Sequence, residues 1–201
     1  MGQLSAEVPH VVGIGGSTRA SSSSERVLTE VLSRIERRGA TTTLLAGSEI
    51  DLPTYAPERP GRTAEAERLV AEIERADGVV IASPGYHGGV SGMVKNALDY
   101  VEDLRDASRP YFEQRPVGLI VCADGWQATT STLISLRSTV HALRGWPTPL
   151  GIALHSSHIG IEDGKVSDPE LAARMDAMAD QILSFARAFA RAHDVDEQTS
   201  A

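Results

Sequence analysis

Residues 10–24 read HVVGIGGSTRASSSS and decide the fold, because they join a strand, a loop and the start of a helix. The first part, His10–Gly15, is a nearly continuous apolar run, which is typical of a strand buried on both faces. From Val27 to Ile35 the apolar residues recur at helical spacing. A strand that leads into a covering helix is the repeating unit of a parallel α/β sheet.

The same unit recurs along the chain. Four more apolar runs of strand length follow, at Thr41–Ala46, Gly78–Ser83, Pro116–Ala123 and Pro149–His155. A stretch of helical period follows each run. The apolar faces are Val27, Leu28, Val31, Leu32 and Ile35; Leu69, Val70 and Ile73; Val94, Leu98 and Val101; Leu133, Leu136, Val140 and Leu143; and Leu171, Met175, Met178, Ile182, Phe185 and Phe189. The pattern predicts an α/β fold: a flavodoxin-like, doubly wound sheet of five parallel strands in the order 2-1-3-4-5, with helices on both faces.

The five units fill one domain, which we place at residues 9–193. Residues 1–8 are expected to be an extended or disordered N-terminus, and residues 194–201 a frayed polar tail. The last helix has the clearest start, since Asp168 can cap it and Pro169 suits its first turn. No internal repeat or linker interrupts the pattern.

Composition excludes several classes of protein. The net charge is −8, from 19 Lys+Arg against 27 Asp+Glu, which argues against a nucleic-acid partner. No stretch approaches the roughly 18 apolar residues of a membrane span. One cysteine in 201 residues fits a reducing cytoplasm, and Cys122 lies within an apolar strand as a small buried side chain. His155 and His158 lack an acidic or cysteine companion, so we expect no metal site.

Ligands of open α/β sheets bind beyond the carboxyl ends of the strands, which directs attention to the loops after strands 1, 3 and 4. In the first, residues 15–24 combine glycines, five serine or threonine hydroxyls within seven residues and the guanidinium of Arg19 at a helix N-terminus. This composition predicts a phosphate cradle, although a flexible serine-rich turn with a helix cap is the alternative. Gly-Lys-Ser/Thr is absent, and Thr18 stands where a dinucleotide fingerprint has its third glycine, so a phosphomonoester is favoured.

The loop after strand 3 is the most specific segment. Residues 83–100 read SPGYHGGVSGMVKNALDY. Together with the loop after strand 1 and the Asp51-Leu52-Pro53 turn, this segment resembles the NADPH-dependent FMN reductase family of flavodoxin-like flavoproteins. The resemblance is close from strand 1 to the helix that is expected to end near Val101, and the rest of the chain matches by topology.

The resemblance implies which residues hold FMN. Ser17, Arg19, Ser22 and Ser24 would surround the phosphate, with Ser24 in the place where the family usually has asparagine. The isoalloxazine would lie along the loop after strand 3, largely through backbone groups. The loop residues are Pro84, Gly85, Tyr86, His87 and Gly88.

Several side chains of this region have a second interpretation. Tyr86 either contacts the flavin or packs its ring under the loop, and His87 is better explained as a loop or interface residue than as a catalytic acid. Lys95 and Asp99 are spaced as an exposed i,i+4 pair, on a helix that commonly lies at a subunit contact in the family. No catalytic side chain is expected.

The sequence departs from the family after strand 4. Asp124, Gly125 and Trp126 replace a glycine-rich stretch beside the flavin and are assigned to the cofactor site. Trp126 can stack on the flavin, cover the nicotinamide, close a substrate pocket or lie at a dimer interface. Thr129 and Thr130 can contact the ring or cap the next helix, and Arg137 is expected to be structural. The long loop at residues 102–115 carries Tyr111 and Phe112, which we expect to pack against other residues rather than face solvent, with a partner subunit's active site as one possibility.

The resemblance implies an FMN-dependent NAD(P)H oxidoreductase, in which NADPH or NADH passes a hydride to flavin N5. Electrons then pass to free flavin, a quinone or another small acceptor, or to a flavin-dependent monooxygenase. A cytoplasmic homodimer or homotetramer is expected. Two alternatives stay open: a flavodoxin-type electron carrier without NAD(P)H turnover, and a family member recruited to specialised biosynthetic chemistry.

Overall fold

The computed structural model describes residues 8–19, 21–162 and 165–199, and side chains up to residue 190 apart from that of residue 162. Helices and strands alternate along the chain, with short 3₁₀ turns at Gly47–Glu49 and Tyr100–Leu104. The elements are β1 (His10–Gly15), α1 (Ser23–Glu36), β2 (Thr41–Ala46), α2 (Ala64–Arg75), β3 (Gly78–Tyr86), β4 (Gly89–Val90), α3 (Gly92–Asp99), β5 (Pro116–Ala123), α4 (Trp126–Ala142), β6 (Trp146–Pro147), β7 (Ile152–His155), β8 (Ile161–Glu162), β9 (Lys165–Val166) and α5 (Pro169–Thr199).

The central sheet confirms the predicted order. Parallel strands run β2-β1-β3-β5, with β6 and β7 both on the outer side of β5. Among the described residues this sheet has seven strands. The two beyond the predicted five arise because the fifth strand is split into β6 and β7, and because β4 forms a short antiparallel hairpin with β3.

The fifth strand was predicted at Pro149–His155, but β7 begins only at Ile152. The chain leaves the sheet after Thr148, whose N–H still donates to the Val117 carbonyl at 2.9 Å, because the carbonyls of Thr148 and Pro149 accept hydrogen bonds from Arg137 of α4, each at 3.0 Å. The Thr148 hydroxyl donates to the carbonyl of Leu150 at 2.7 Å. Arg137 is therefore structural, as predicted.

Two apolar cores cover the sheet, one on each face. One lies under α2, α3 and α4 and includes Leu69, Leu98 and Leu136, and the other lies under α1 and α5 and includes Leu28 and Met178. The cores confirm the predicted helices on both faces. Most residues of the predicted helix faces are buried, but Phe185 is 40% exposed and Phe189 is half-buried, because α5 runs past the edge of the sheet.

The structure describes the N-terminal segment from residue 8 and the C-terminal segment to residue 199. Residues 1–7 of the predicted N-terminal segment lie outside the described residues, as do residues 200 and 201 of the predicted tail. The backbone of α5 is helical to Thr199, past residue 194, where the sequence analysis placed the start of a frayed tail. The predicted start of this helix is confirmed, since Asp168 Oδ1 accepts the Glu170 N–H at 2.9 Å. No helix of the described part of the chain is both long and apolar enough to cross a membrane.

Candidate functional site

A cavity of about 500 Å³ lies beyond the carboxyl ends of β1, β3 and β5. The three loops that follow these strands converge on it, because parallel strands present their carboxyl ends at one edge of the sheet. The lining residues are Ser17, Thr18, Arg19, Ser22, Ser23, Ser24, Pro84, Gly85, Tyr86, His87, Cys122, Ala123, Asp124, Gly125, Ala128 and Ser156. The cavity therefore lies where the sequence places a ligand.

The loop after β1 is held by its own hydroxyl groups. Ser22 caps α1, since its Oγ accepts the Glu25 N–H at 3.3 Å, and this Oγ lies 3.3 Å from Ser24 Oγ. Ser17 Oγ accepts the Arg19 N–H at 3.2 Å. Ser17, Ser22 and Ser24 are buried. The hydroxyls are therefore fixed before any ligand enters.

This loop leaves several donors open. The first N–H groups of a helix have no acceptor within the helix, and the Ser22 cap serves only that of Glu25, which leaves those of Ser23 and Ser24. The exposed guanidinium of Arg19 has no partner among the described residues. A helix N-terminus with a nearby cation is a favourable site for a phosphate group.

Gly16 lets the loop lie close to β3 and α3. Its N–H donates to the carbonyl of Ala82 at 2.9 Å, and its carbonyl accepts the Ser91 hydroxyl at 3.1 Å. A Cβ at this position would lie 2.0 Å from Val94 Cγ2, so only glycine fits. Gly16 thus brings the start of the loop after β1 into direct contact with the backbone of β3 and the N-cap of α3.

The loop after β3 is a tight hairpin. Tyr86 pairs with Gly89 across β3 and β4, and the two residues between them, His87 and Gly88, have positive φ of 52° and 82°. Two central residues with positive φ form a type I′ turn, which is common in two-residue hairpins. The Tyr86 side chain is 59% exposed, so its ring is not packed under the loop.

The loop after β5 leads directly into α4. Asp124 and Gly125 line the cavity, and Gly125 occupies the N-cap position without a capping side chain. Thr129 and Thr130 donate to the carbonyl of Trp126 at 2.7 and 3.2 Å, so neither hydroxyl supplies the missing cap. This second helix N-terminus therefore keeps its donors at the edge of the cavity.

Trp126 lies outside the cavity. Its ring is 67% exposed and lies 5.6 Å from the ring of His155, which lies 5.5 Å from that of His158. The described residues contain no group of three or more histidine, cysteine or acidic side chains that could hold a metal ion. These rings thus form an aromatic row beside the mouth of the cavity.

The structure brings together ten of the twelve residues assigned to the cofactor site, and Gly88 and Trp126 are the two that do not line the cavity. Sequence reasoning missed Ser156, which enters from the loop after β7 because its carbonyl accepts the Ser23 hydroxyl at 3.4 Å. The same rule on strand ends, applied to the fifth strand, would have found it. Cys122 was also missed as a lining residue, and burial raises the pKa of its thiol to about 12, so it stays protonated at neutral pH.

Tyr111 and Phe112 in the long loop at residues 102–115 pack against other residues, as predicted, and what they pack on is the core of their own chain. Phe112 is fully buried in the core under α2, α3 and α4, and Tyr111 packs against it and beneath the guanidinium of Arg144, 5.4 Å from the ring centre. The fully buried Arg115 holds the loop. Its guanidinium donates to the carbonyls of Glu74 at 2.6 Å and Ala76 at 3.0 Å, and to three carbonyls of the loop itself.

The predicted pair of Lys95 and Asp99 is formed at 2.6 Å, and both side chains are about half exposed. The next residue, Asn96, has a structural role that the sequence analysis did not assign. Its amide donates to the carbonyls of Leu52 and Pro53 at 3.0 Å and accepts the Tyr55 N–H at 2.8 Å. Asn96 thereby fixes the turn after β2 against α3.

Comparison with known protein families agrees with a ligand site formed by these three loops. The profile of the family described as NADPH-dependent FMN reductase matches residues 9–158. The chain belongs to this family. An FMN-dependent NADPH-azoreductase of Staphylococcus aureus is 38% identical over 141 residues, which are 69% of this chain and 71% of that protein. This reductase is an oxidoreductase that uses FMN and NADPH.

Solved structures of low sequence identity share the fold. FerB, a flavoenzyme NAD(P)H:(acceptor) oxidoreductase from Paracoccus denitrificans, superposes with a TM-score of 0.70 at 24% identity, covering 89% of this chain and 99% of that one. RosB, solved with 8-demethyl-8-formylriboflavin-5′-phosphate, gives 0.72 at 15% identity, with 96% and 88% covered. The flavodoxin-like architecture of this reductase is thus common to proteins of diverged sequence.

Proposed function

We propose that FMN binds in the cavity at the carboxyl edge of the sheet, with its phosphate in the loop after β1. The observation that supports this most directly is the set of donors that no described residue satisfies there: the N–H groups of Ser23 and Ser24 and the guanidinium of Arg19. The fixed hydroxyls of Ser17 and Ser22 complete a cradle for a dianionic group. The alternative of a merely flexible serine-rich turn does not account for three buried serines whose hydroxyls are held, those of Ser22 and Ser24 by each other and that of Ser17 by the Arg19 backbone.

The isoalloxazine would lie between the hairpin after β3 and the loop after β5. Gly85 brings the backbone close here, because a Cβ at Gly85 would lie 2.9 Å from Ala123 Cβ and 3.0 Å from Thr132 Oγ1. Backbone N–H and C=O groups of the hairpin are suited to the polar edge of a flavin. Gly88 would act by allowing the turn, and Trp126 by bordering the mouth, since neither lines the cavity.

Bound FMN supplies a ring that accepts a hydride equivalent from NADPH and returns electrons to a second acceptor. The residues of the chain bind and orient the reactants and keep water from the enclosed part of the site. No side chain is needed as a general base, and none is assigned as catalytic. The Cys122 thiol, protonated and buried, is not a nucleophile.

The acceptor would be a small molecule. The named relative is an azoreductase, which makes an azo compound the first acceptor to test, followed by a quinone and free flavin. If free flavin is the acceptor, the reduced flavin would pass to a partner enzyme, a flavin-dependent monooxygenase. A cytoplasmic homodimer or homotetramer is part of this proposal, and the single reduced cysteine is compatible with it.

The test is an anaerobic visible spectrum of the FMN-loaded protein, before and after NADPH and then NADH. Bleaching of the flavin band by NADPH is the expected result, and the acceptors can then be added one at a time. Bound flavin that stays oxidised with both nucleotides would favour an electron carrier or a recruited biosynthetic enzyme. A protein that binds no flavin would overturn the proposal.

A further inference from the structure

A second cavity of about 530 Å³ adjoins the first. Ser156 lines both, so the two cavities are neighbours at this residue, and its hydroxyl has no partner among the described residues. Arg26, His158 and Asp168 also line the second cavity. It lies between α1 and the segment from β7 to α5, on the side of the phosphate loop.

Arg26 brings a positive charge to this cavity. It lies in the first turn of α1, and one of its Nη2–H groups donates to the carbonyl of Ile161. A neutral carbonyl leaves the guanidinium charge uncompensated, and no ion pair joins Arg26 to any of the described side chains. Glu30, one turn further along α1, is engaged by Arg34 at 3.0 Å and Arg37 at 3.3 Å.

His158 adds a second nitrogen group. Ser157 Oγ lies 2.8 Å from Nδ1 of both His155 and His158, and the Ser157 N–H donates to His155 Nδ1 at 3.4 Å. A single hydroxyl proton cannot serve both rings, so Ser157 donates to His155 and accepts the Nδ1–H of His158. Nε2 of His158 is left without a described partner beside the cavity.

One acidic side chain lies in the same cavity as Arg26 and His158. Asp168 faces the same cavity, but its Oδ1 accepts the Glu170 N–H at 2.9 Å. Its charge is therefore held by the N-terminus of α5, where a carboxylate is favourable. A ligand anion placed near Arg26 would not have to displace an existing ion pair of the described residues.

We propose that the second cavity binds the adenosine 2′-phosphate of NADPH, and that Arg26 is the residue that selects NADPH over NADH. The inference rests on the proposed function, because flavin and nicotinamide together occupy the first cavity and the rest of the dinucleotide must continue beyond it. Arg26 lines the cavity on the far side of Ser156, and a guanidinium can bind a phosphate group through two parallel hydrogen bonds. Neutral His158, whose Nδ1–H is given to Ser157, has an acceptor at Nε2, so Arg26 is the group that we assign to the phosphate.

The experiment compares 2′,5′-ADP with 5′-AMP as ligands of the FMN-loaded protein by calorimetry, in the wild type, Arg26→Gln, Arg26→Lys and the control Arg37→Gln. The expected result is that Arg26→Gln weakens 2′,5′-ADP about 10- to 100-fold, as for loss of a charged hydrogen bond, and leaves 5′-AMP unchanged. Arg26→Lys keeps the charge but loses the bidentate geometry, so it should retain only part of the affinity, and Arg37→Gln should retain all of it. The Kd for FMN in each variant reports whether the first cavity is intact.

Stopped-flow reduction separates the inference from the proposed function. If wild-type flavin is bleached by NADPH, the function stands, and Arg26→Gln should then raise the Kd for NADPH but not for NADH. Equal weakening of both nucleotides, or no weakening, would overturn the role of Arg26. A variant impaired only toward a sulfonated azo acceptor would assign the anion site to the acceptor instead and would also overturn it.

Discussion

At the scale of single residues, the clearest feature is the Arg19 guanidinium, which has no partner among the described residues and lies beside the capped start of α1. We predict that Arg19→Ala weakens FMN binding by about 1.5–3 kcal/mol, the usual contribution of a hydrogen bond to a charged group. Fluorescence titration of the flavin measures it. Arg59→Ala, in an exposed loop away from the cavity, is the matched control. Unchanged affinity in Arg19→Ala would contradict the phosphate assignment.

His10 makes stability depend on pH. Burial, and then the charge of Arg75, lowers its pKa below the ordinary 6.5, against the opposing effect of Glu72. The unfolded chain therefore binds this proton more readily, so the free energy of unfolding should fall as the pH is lowered below about 6.5. Above that pH both states are neutral and the effect vanishes.

Urea denaturation between pH 5 and 8 checks this prediction. His10→Gln, which cannot titrate, should show a flatter dependence across that range. The carboxyls of Glu72, Asp103 and Asp176 also have lowered pKa values, but their contribution is lost at lower pH, as they become protonated. Identical slopes for wild type and variant would show that His10 is not the source.

At the scale of elements, the loop before β5 depends on Arg115. Burial, and next the nearby charge of Arg109, lowers the pKa of its guanidinium to about 10, so it stays charged at neutral pH. Its five carbonyl partners would lose their donors together in Arg115→Met. We predict a loss of about 2–4 kcal/mol in the free energy of unfolding.

Thermal and urea unfolding measure the loss, with Arg144→Met as the control, since the Arg144 side chain is 55% exposed and contacts the half-exposed carboxylate of Glu113 and the ring of Tyr111. Arg115→Lys should recover little, because an ammonium cannot reach carbonyls on two sides. A variant as stable as the wild type would mean that the loop is held by Phe112 alone.

The elements also show how far the sequence alone could go. Continuous apolar runs and helical spacing were enough for five strands and five helices, because burial on both faces removes polar alternation. The break at residues 148–151 and the burial of Phe112 and Arg115 were not predictable. The break and the burial of Arg115 depend on hydrogen bonds from arginine side chains to carbonyls elsewhere in the chain, and the burial of Phe112 depends on packing against the core under α2, α3 and α4. Local sequence patterns do not indicate such contacts. Likewise, strand ends and motifs were enough to predict ten residues of the site. Ser156 was missed because its loop carries no recognisable motif.

At the scale of the whole molecule, three large apolar side chains are exposed on the hairpin after β3 and on α4. Tyr86, Trp126 and Ile134 are 59%, 67% and 62% exposed. The 17 residues of α4 include no Asp, Glu or Lys, and the one arginine, Arg137, is turned to backbone carbonyls. Depletion of charge around exposed aromatic residues is typical of interfaces.

We predict that the protein sediments as a dimer or tetramer through this surface at micromolar concentration. Ile134→Glu should shift it toward the monomer, since a buried unpaired carboxylate is costly. Trp146→Glu, a comparable exposed site at the opposite end of the sheet, should not. A monomer of constant mass over a hundredfold range of concentration would exclude the assembly.

The interruption of the fifth strand has a consequence for solubility. An outermost strand with a long row of free N–H and C=O groups is a template for pairing with other chains, and such pairing leads to aggregates. Here the outer strand consists of pieces of two and four residues, and Pro147 and Pro149, which lack an N–H, stand at the break. The hydrogen bonds of Arg137 that interrupt the outer strand thus also prevent strands of other molecules from pairing with this edge of the sheet.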